Sequence, residues 1–357
     1  MTAFFLDKIF YSALTLYGVV TVVFFLFNVL PGDPAQMMLG QNQNSDQLNI
    51  VKKKYGFDKP LSKQYLLYLN DLSPISFHSK NKNDYSYFDE NYSGIKLLSF
   101  NESALHLKYP YLRTSFVNQG KKVSKIILET LPNTFVLALS AIFIAIFIGL
   151  LFGIISALNR GNYIDLSIQF ISTIGMSVPS FFSAIVFAWI FGFLLKDLTG
   201  LEMTGSLYEL DDYGESFNLK IKNLILPSIV LGIRPLAVIS QLVRNELINV
   251  LNQDYIRTAK AKGLSQFNII RNHALKNALN PVVTVISGWF ASLLAGSVFV
   301  EFIFGWNGIG KEIVNALNQL DLPVIMGAVL VIALMFIIIN ILVDIIYVKL
   351  DPRIKIN

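Results

Sequence analysis

TLPNTFVLALSAIFIAIFIGLLFGIISALN, from Thr130 to Asn159, contains no charged side chain. A bilayer core of about 30 Å is crossed by about 20 apolar residues in helix, and lipid forces the backbone to satisfy its own hydrogen bonds. This stretch therefore reads as a membrane span. Four more charge-free runs have similar length: Ile9 to Gly32, Leu166 to Leu195, Asn277 to Val300 and Leu322 to Val343. Asn223 to Val243 is apolar apart from Arg234 and makes a sixth. The expected fold is an all-α polytopic membrane protein with six transmembrane helices. At 54% hydrophobic and 15% charged, the composition fits, since soluble domains carry roughly 25% charge. The first span is too long for the apolar core of a signal peptide and lacks a small-residue cleavage site, so it is read as a retained helix. The chain has no cysteine, which removes thiolate metal sites, disulfides and thiol nucleophiles together. The net charge of +5 is spread too unevenly to form a nucleic-acid surface.

Charge in the loops sets the expected orientation. Arg244 to Lys276 carries Arg244, Arg257, Lys260, Lys262, Arg271 and Lys276 against Glu246 and Asp254, and should be cytoplasmic. Lys196 to Lys222 is acid-rich and should lie outside. Alternation then puts both termini in the cytoplasm, in agreement with Lys349, Arg353 and Lys355. Three regions follow: residues 1–32, the first transmembrane helix; 33–129, a long outer segment; and 130–357, a five-helix core with a cytoplasmic loop at 244–280. The outer segment carries Lys52-Lys53-Lys54, but long loops escape the charge rule.

Within the outer segment, residues 46–72 mix apolar and charged positions as one or two short helices do. Residues 73–94 are rich in Ser, Asn, Asp and Tyr with few aliphatic side chains, which predicts a mobile or partner-bound loop. Val117, Val123, Ile126, Ile127 and Leu131 suggest a short interfacial helix leading to Pro132, or the ordinary end of the second span's helix. In the spans, Ala145, Gly149 and Gly153, and again Gly288, Ser292 and Gly296, place small residues four apart, where helices approach closely, within this chain or against another.

Several chemistries fail on their own terms. Gly305 to Lys311 imitates a phosphate loop, but Glu312 stands where the magnesium-binding hydroxyl belongs and no strand precedes it. Ser177 lies mid-span, whereas His78, His106 and His273 all lie outside the spans, so no intramembrane serine dyad forms; the scattered histidines suggest no metal site. A self-contained secondary transporter or channel would show internal repeats and several intramembrane charges, and only Arg234 is well inside a span. Arg234 and Ser177 are candidates for a translocation pathway; an arginine that snorkels or pairs between helices is the competing account of Arg234. Pro235 should break the helix locally.

The segment DYIRTAKAKGLSQFNIIRNHALKNALNP, Asp254 to Pro281, has a basic helix, a Gly263-Leu264-Ser265 turn and a second amphipathic helix. With Ala259 and Gly263 four apart, one side is nearly bare, which suits contact with another protein. This stretch resembles the cytoplasmic loop of ABC transporter permease subunits of the dipeptide, oligopeptide and nickel importer family. Matching stretches recur: Asn28 to Pro34, Tyr55 to Leu61, Leu131 to Thr134, Ser177 to Phe181, Ala295 to Val298, Gly308 to Gly310, and Asp351-Pro352-Arg353. Residues around 73–110 look like an insertion, and Asn307 replaces a usual proline. The insertion's tyrosines would suit docking of a binding protein, or it is a solvated decoration.

The resemblance implies a non-catalytic subunit of the bacterial cytoplasmic (inner) membrane. It would pair with a second homologous permease, form a path for peptides or related solutes, and be driven by two ABC ATPase subunits and an extracytoplasmic substrate-binding protein. ATP and magnesium would be bound by the ATPases, with no cofactor or metal in this chain. Asp254, Arg257, Thr258, Ala259, Lys262, Gly263, Leu264 and Ser265 would be the coupling element.

Overall fold

The structure, a computed structural model, describes residues 2–29, 35–36, 45–82, 84–118, 120–211 and 213–350. Leu30 to Pro34 and Asp351 to Arg353, on which part of the family match rests, lie outside these, as does Lys355.

In chain order, α1 is Thr2–Val29, α2 Ser45–Tyr55 and α3 Leu61–Leu72, followed by β1 (Ile75–Ser79), β2 (Gly94–Ser99) and β3 (Ser103–Lys108). Then come α4 (Val123–Leu158), α5 (Tyr163–Ser177) and α6 (Ser180–Leu194), whose Ala188–Leu194 stretch is wound as a π-helix. A short hairpin, β4 (Tyr208–Leu210) and β5 (Phe217–Leu219), precedes α7 (Lys222–Leu251) and α8 (Asp254–Ala261). The chain continues through α9 (Gln266–Ala278), α10 (Asn280–Gly296), α11 (Val298–Phe304), α12 (Ile309–Gln319) and α13 (Leu322–Leu350).

Four helical stretches are each long and apolar enough to cross a membrane: Lys8–Phe27, Val123–Leu158, Lys222–Leu251 and Leu322–Ile345. The other two expected spans are broken. α5 and α6 meet at 107° across Val178-Pro179, and α9 and α10 at 56°. The number of spans among the described residues is thus four, or up to six if each bent pair counts as one. The break at Val178 follows from Pro179, because a residue before proline is pushed toward extended backbone; Val178 has ψ 130°. Pro235 does the opposite of what was expected. α7 continues through both Pro227 and Pro235 as one helix. Of the two readings of 117–131, the ordinary helix end holds: α4 starts at Val123 and passes through Pro132 without interruption.

The chain divides into two compact units, Tyr11–Thr130 with Glu312–Val331, and Met1–Phe10 with Leu131–Lys311 and Ile332–Asn357. In the second unit, Leu137, Ala138 and Ala141 of α4 pack with Val230 and Leu231 of α7 and with Leu293 and Leu294 of α10. Gly149 and Gly153 let α4 lie directly on α7: a Cβ at Gly153 would sit 2.6 Å from Val243 Cβ and 2.8 Å from Ser240 O. That small-residue stripe is therefore used inside the chain. At Gly288 and Gly296, an added Cβ would meet nothing within 4 Å among the described residues.

In the first unit, Tyr65 and Tyr68 of α3 pack against Phe24 of α1, and Tyr65 Oη lies 2.6 Å from Thr21 Oγ1. The two short helices expected between 46 and 72 are α2 and α3. The sequence expectation fails just beyond them. Residues 75–108 are an antiparallel sheet of order β1-β3-β2, so the all-α assignment is corrected to a mostly helical fold with small sheets, and the expected loop at 73–94 carries β1 and pairs with β3.

Its interior is aromatic and polar, not aliphatic. Ser76 and His78 of β1 and Ala104, His106 and Lys108 of β3 are buried at alternate positions, as a strand with one covered face requires. Phe88 stacks on His106 at 4.2 Å, and Tyr92 meets His78 at 4.7 Å between ring centres. Below them the buried Asp71 accepts from Tyr85 Oη (2.9 Å), Tyr92 Oη (2.9 Å) and Arg113 Nε (3.0 Å). Asp321 holds Ser115 through its hydroxyl and accepts from the Phe116 amide at 3.0 Å.

Candidate functional site

The segment from Asp254 to Ser265 is built as a helix with a specific stop. Ile256 and Ala259 are buried with Leu247, Ile269, Ala274 and Ala278, which fixes one face of α8 to the chain. At its C-terminus the Gly263 amide donates to Lys260 O (2.9 Å) and the Leu264 amide to Ala259 O (3.3 Å). These two bonds, with Gly263 at φ 78°, form a Schellman termination, which requires a left-handed residue and so selects glycine. Ser265 then begins α9, its hydroxyl accepting from the Asn268 amide at 3.4 Å.

Among the described residues, no other element covers the outer face of this turn. Asp254, Arg257, Thr258, Lys262, Gly263, Leu264 and Ser265 are exposed, and a Cβ built on Gly263 meets nothing within 4 Å. The Arg257–Asp254 pair, at 3.3 Å, is fully solvated and contributes little. Ala259 differs from its neighbours: it packs inward, so of the two small residues expected to face a partner only Gly263 lies on the open side. Exposed Tyr255, Leu264 and Phe267 supply an apolar patch beside the basic residues. From sequence, Tyr255 belongs to the motif and Phe267 to the apolar positions of the second helix, but neither is placed in the coupling element; their signal is large apolar side chains beside a glycine turn in an otherwise charged loop.

The structure also brings Arg234 to the break between α5 and α6. Its Nη2 donates to Met176 O at 3.5 Å, one residue from Ser177. α5 and α7 are close at this level, a Cβ on Gly175 lying 2.9 Å from Ile233 Cγ2. Ser177 is exposed, and its hydroxyl donates back to Thr173 O at 2.8 Å. At the first turn of α5, Asp165 is buried and accepts from Arg244 Nε (2.6 Å) and Nη2 (2.8 Å), Ser156 Oγ (2.5 Å) and the Gly161 amide (2.9 Å).

The imitation phosphate loop has a structural use. Glu301 of α11 is fully buried and accepts from Ser297 Oγ (2.8 Å) and from the amides of Gly310 (2.7 Å) and Lys311 (3.2 Å). The first-turn amides that could cradle a phosphate are thus filled by a carboxylate, and burial pushes that carboxyl above the usual range despite these bonds. Thr134 Oγ1 accepts from the Ile309 amide at 2.8 Å, and Trp306 Nε1 donates to Asn133 O at 3.0 Å. Asn307 uses what a proline lacks: its amide donates to Ser206 Oγ at 3.0 Å. Among the described residues no group of three or more potential ligands could hold a metal ion.

Known families provide a comparison for this arrangement. The family described as binding-protein-dependent transport system inner membrane component matches residues 149–356, and its N-terminal counterpart matches residues 1–85. The chain belongs to this family of inner-membrane permease components. A permease so classed is a multi-pass membrane protein, in keeping with the apolar helices. Over 96% of the chain and 95% of the relative, it is 34% identical to the di/tripeptide transport system permease protein DppB of Pseudomonas aeruginosa. With the dipeptide transport system permease protein DppB of Bacillus subtilis it shares 33% identity over 100% of this chain and 99% of the relative. The oligopeptide transport system permease protein AppB of the same organism is 32% identical over 99% and 100%. A solved structure of the MetNI methionine ABC transporter matches 64% of this permease and 97% of its own chain at 17% identity, with a TM-score of 0.49.

Proposed function

We propose that this permease is one of two similar subunits that together form the path of an ABC importer for short peptides, powered by separate ATPase subunits and fed by an external binding protein. The observation that carries this is similarity to di/tripeptide and oligopeptide permeases along practically the whole chain. Both termini and residues 244–280 lie in the cytoplasm, and residues 33–129 lie outside.

The exposed turn from Asp254 to Ser265, with Leu264 and Phe267 beside it, is the element that seats in an ATPase subunit. Its two anchored side chains, Ile256 and Ala259, pass movement of the turn to α7 and α9 as a rigid body. The open stripe of Gly288, Ser292 and Gly296 on α10 is where the second permease packs, since a small-residue face gains nothing in lipid. Arg234 and Ser177 line the path at the break in the third expected span. The ordered sheet at 75–108 is a surface on which the binding protein docks.

The test is copurification from cells expressing the chain with its neighbouring genes, followed by ATPase assays with and without di- and oligopeptides. Recovery of a second permease and ATPases, with hydrolysis stimulated by peptide, is the expected result. Recovery of the chain alone, still moving solute in vesicles, would replace this proposal with a self-contained transporter.

A further inference from the structure

We infer that Arg234 is a binding site for the carboxylate of a peptide in transit. This rests on the peptide-permease reading above and adds to it the group that is recognised and the residue that recognises it.

Depth is the first observation. Arg234 lies 12 residues beyond Lys222 and 10 before Arg244 on a continuous helix, about 18 and 15 Å along the axis at 1.5 Å per residue. Its stem is too short to carry the guanidinium to either polar boundary, so snorkelling does not account for it. A charge at that depth persists where a cavity or a partner meets it.

Surroundings are the second. From Leu226 to Arg244 every side chain of α7 is buried or half-buried except that of Arg234. α7 packs against α5, α6, α10 and α11, and its one opening carries its one mid-helix charge. Surfaces suited to lipid look different in the same unit: α4 exposes Phe143 and Phe147, and α5 exposes Phe170 and Ile171. The opening at Arg234 therefore faces the path, not hydrocarbon.

The third observation is what the guanidinium holds. Its one bond among the described residues is to Met176 O at 3.5 Å, which is long for an N–H···O bond, and no carboxylate of the described residues pairs with it. Five donors in a planar fork, matched to a carboxylate, are oriented by one weak contact beside a broken helix. Secondary transporters bind their solutes at discontinuous helices near mid-membrane, and the break beside Arg234 offers the same kind of irregular backbone here. Every free peptide presents a carboxylate at its C-terminus, and Arg234 supplies the opposite charge.

The whole importer, reconstituted in vesicles with binding protein already loaded, is given one dipeptide as the free acid and as its C-terminal amide. Uptake per loaded binding protein should favour the acid by about tenfold or more, a factor that one net ion pair can supply. Arg234→Gln should bring the ratio to about one, and Arg234→Lys should keep part of the preference. A wild-type ratio near one overturns the inference however the variants behave. So does Arg234→Gln slowing both forms equally, the result expected if the arginine pairs with a carboxylate of the second permease. If the wild type moves neither form although other solutes are carried, the peptide reading itself fails, and this inference with it.

Discussion

Arg244 holds Asp165 with two nitrogens, Nε at 2.6 Å from one carboxylate oxygen and Nη2 at 2.8 Å from the other. The pair joins the first turn of α5 to α7 across 79 residues of sequence, and Asp165 is buried. Removing one partner leaves a buried charge uncompensated. Arg244→Ala should cost about 3 kcal/mol, the lower end for a broken buried pair, because Ser156, Gly161 and Gln169 still donate to Asp165. Thermal unfolding in detergent checks this, and the double variant Asp165→Asn/Arg244→Gln should recover much of the loss. An Arg244→Ala protein as stable as wild type would show that the pair contributes nothing net.

Glu301→Ala should be comparably damaging for a different reason. It strands the amides of Gly310 and Lys311 and the Ser297 hydroxyl in a dry site, at about 2–4 kcal/mol in total. Gly308→Ala should also destabilise, since its new methyl would run into the Glu301 carboxylate and Thr134 Oγ1. Melting temperatures of both variants provide the measurement.

The outer sheet should loosen in acid. Burial pushes His78 down to about 4, below its ordinary 6.5, with His106 and Lys108 nearby adding to the effect. The folded state therefore binds the proton more weakly than the unfolded one. Its stability is fully present above about pH 6.5 and is lost as pH falls toward 4, by about 3 kcal/mol at most. Amide exchange in strands 75–79 and 103–108 should accelerate over that window in the wild type and respond less in His78→Gln. Identical pH profiles would assign the loss to other groups.

Gly263→Val tests the coupling turn without touching the packed face of α8. A β-branched residue at φ 78° is strained, and the Schellman stop should unwind. The complex should still assemble, while peptide-stimulated ATP hydrolysis falls about tenfold or more, the effect of losing roughly 1.4 kcal/mol of coupling. Undiminished stimulation would remove the turn from the coupling mechanism. A bulky residue at Ala259 is a poorer probe, because it would disturb the cluster with Ile256 and Ala274 first.

What could be read from sequence followed the strength of the physical constraint. Lipid tolerates few charges over about 20 residues, so uninterrupted runs marked the long helices α4 and α13 unambiguously. Pro179 carried the signal for the break after α5, and composition alone hid it, since both arms are equally apolar. Pro235 misled in the other direction, because α7 is packed by neighbours that keep it helical through the missing bond. The outer sheet was invisible for a clear reason. Its core is made from His78, Phe88, Tyr92 and His106 around Asp71, and a search for aliphatic alternation passes over such residues. The helix and glycine turn from Asp254 to Ser265 were legible as a motif, but which of its residues face inward was not: Ala259 is small enough to suit either side. Asp165 and Asp321 left no local trace, and Glu301 stood out only through the family resemblance, since each acts through partners distant in sequence or on backbone amides.

Those distant partners bear on how the chain is made. Asn133 receives Trp306 and Thr134 receives Ile309, residues 173 and 175 positions later. At about 5–20 residues per second, a ribosome needs roughly 9–35 s to reach them. For that interval α4 sits in the membrane with the Asn133 carbonyl and Thr134 hydroxyl unclaimed by their final partners. Maturation of this subunit is thus gated by the emergence of the segment that follows its fifth expected span, and a chain truncated before Trp306 should be inserted yet marked for degradation.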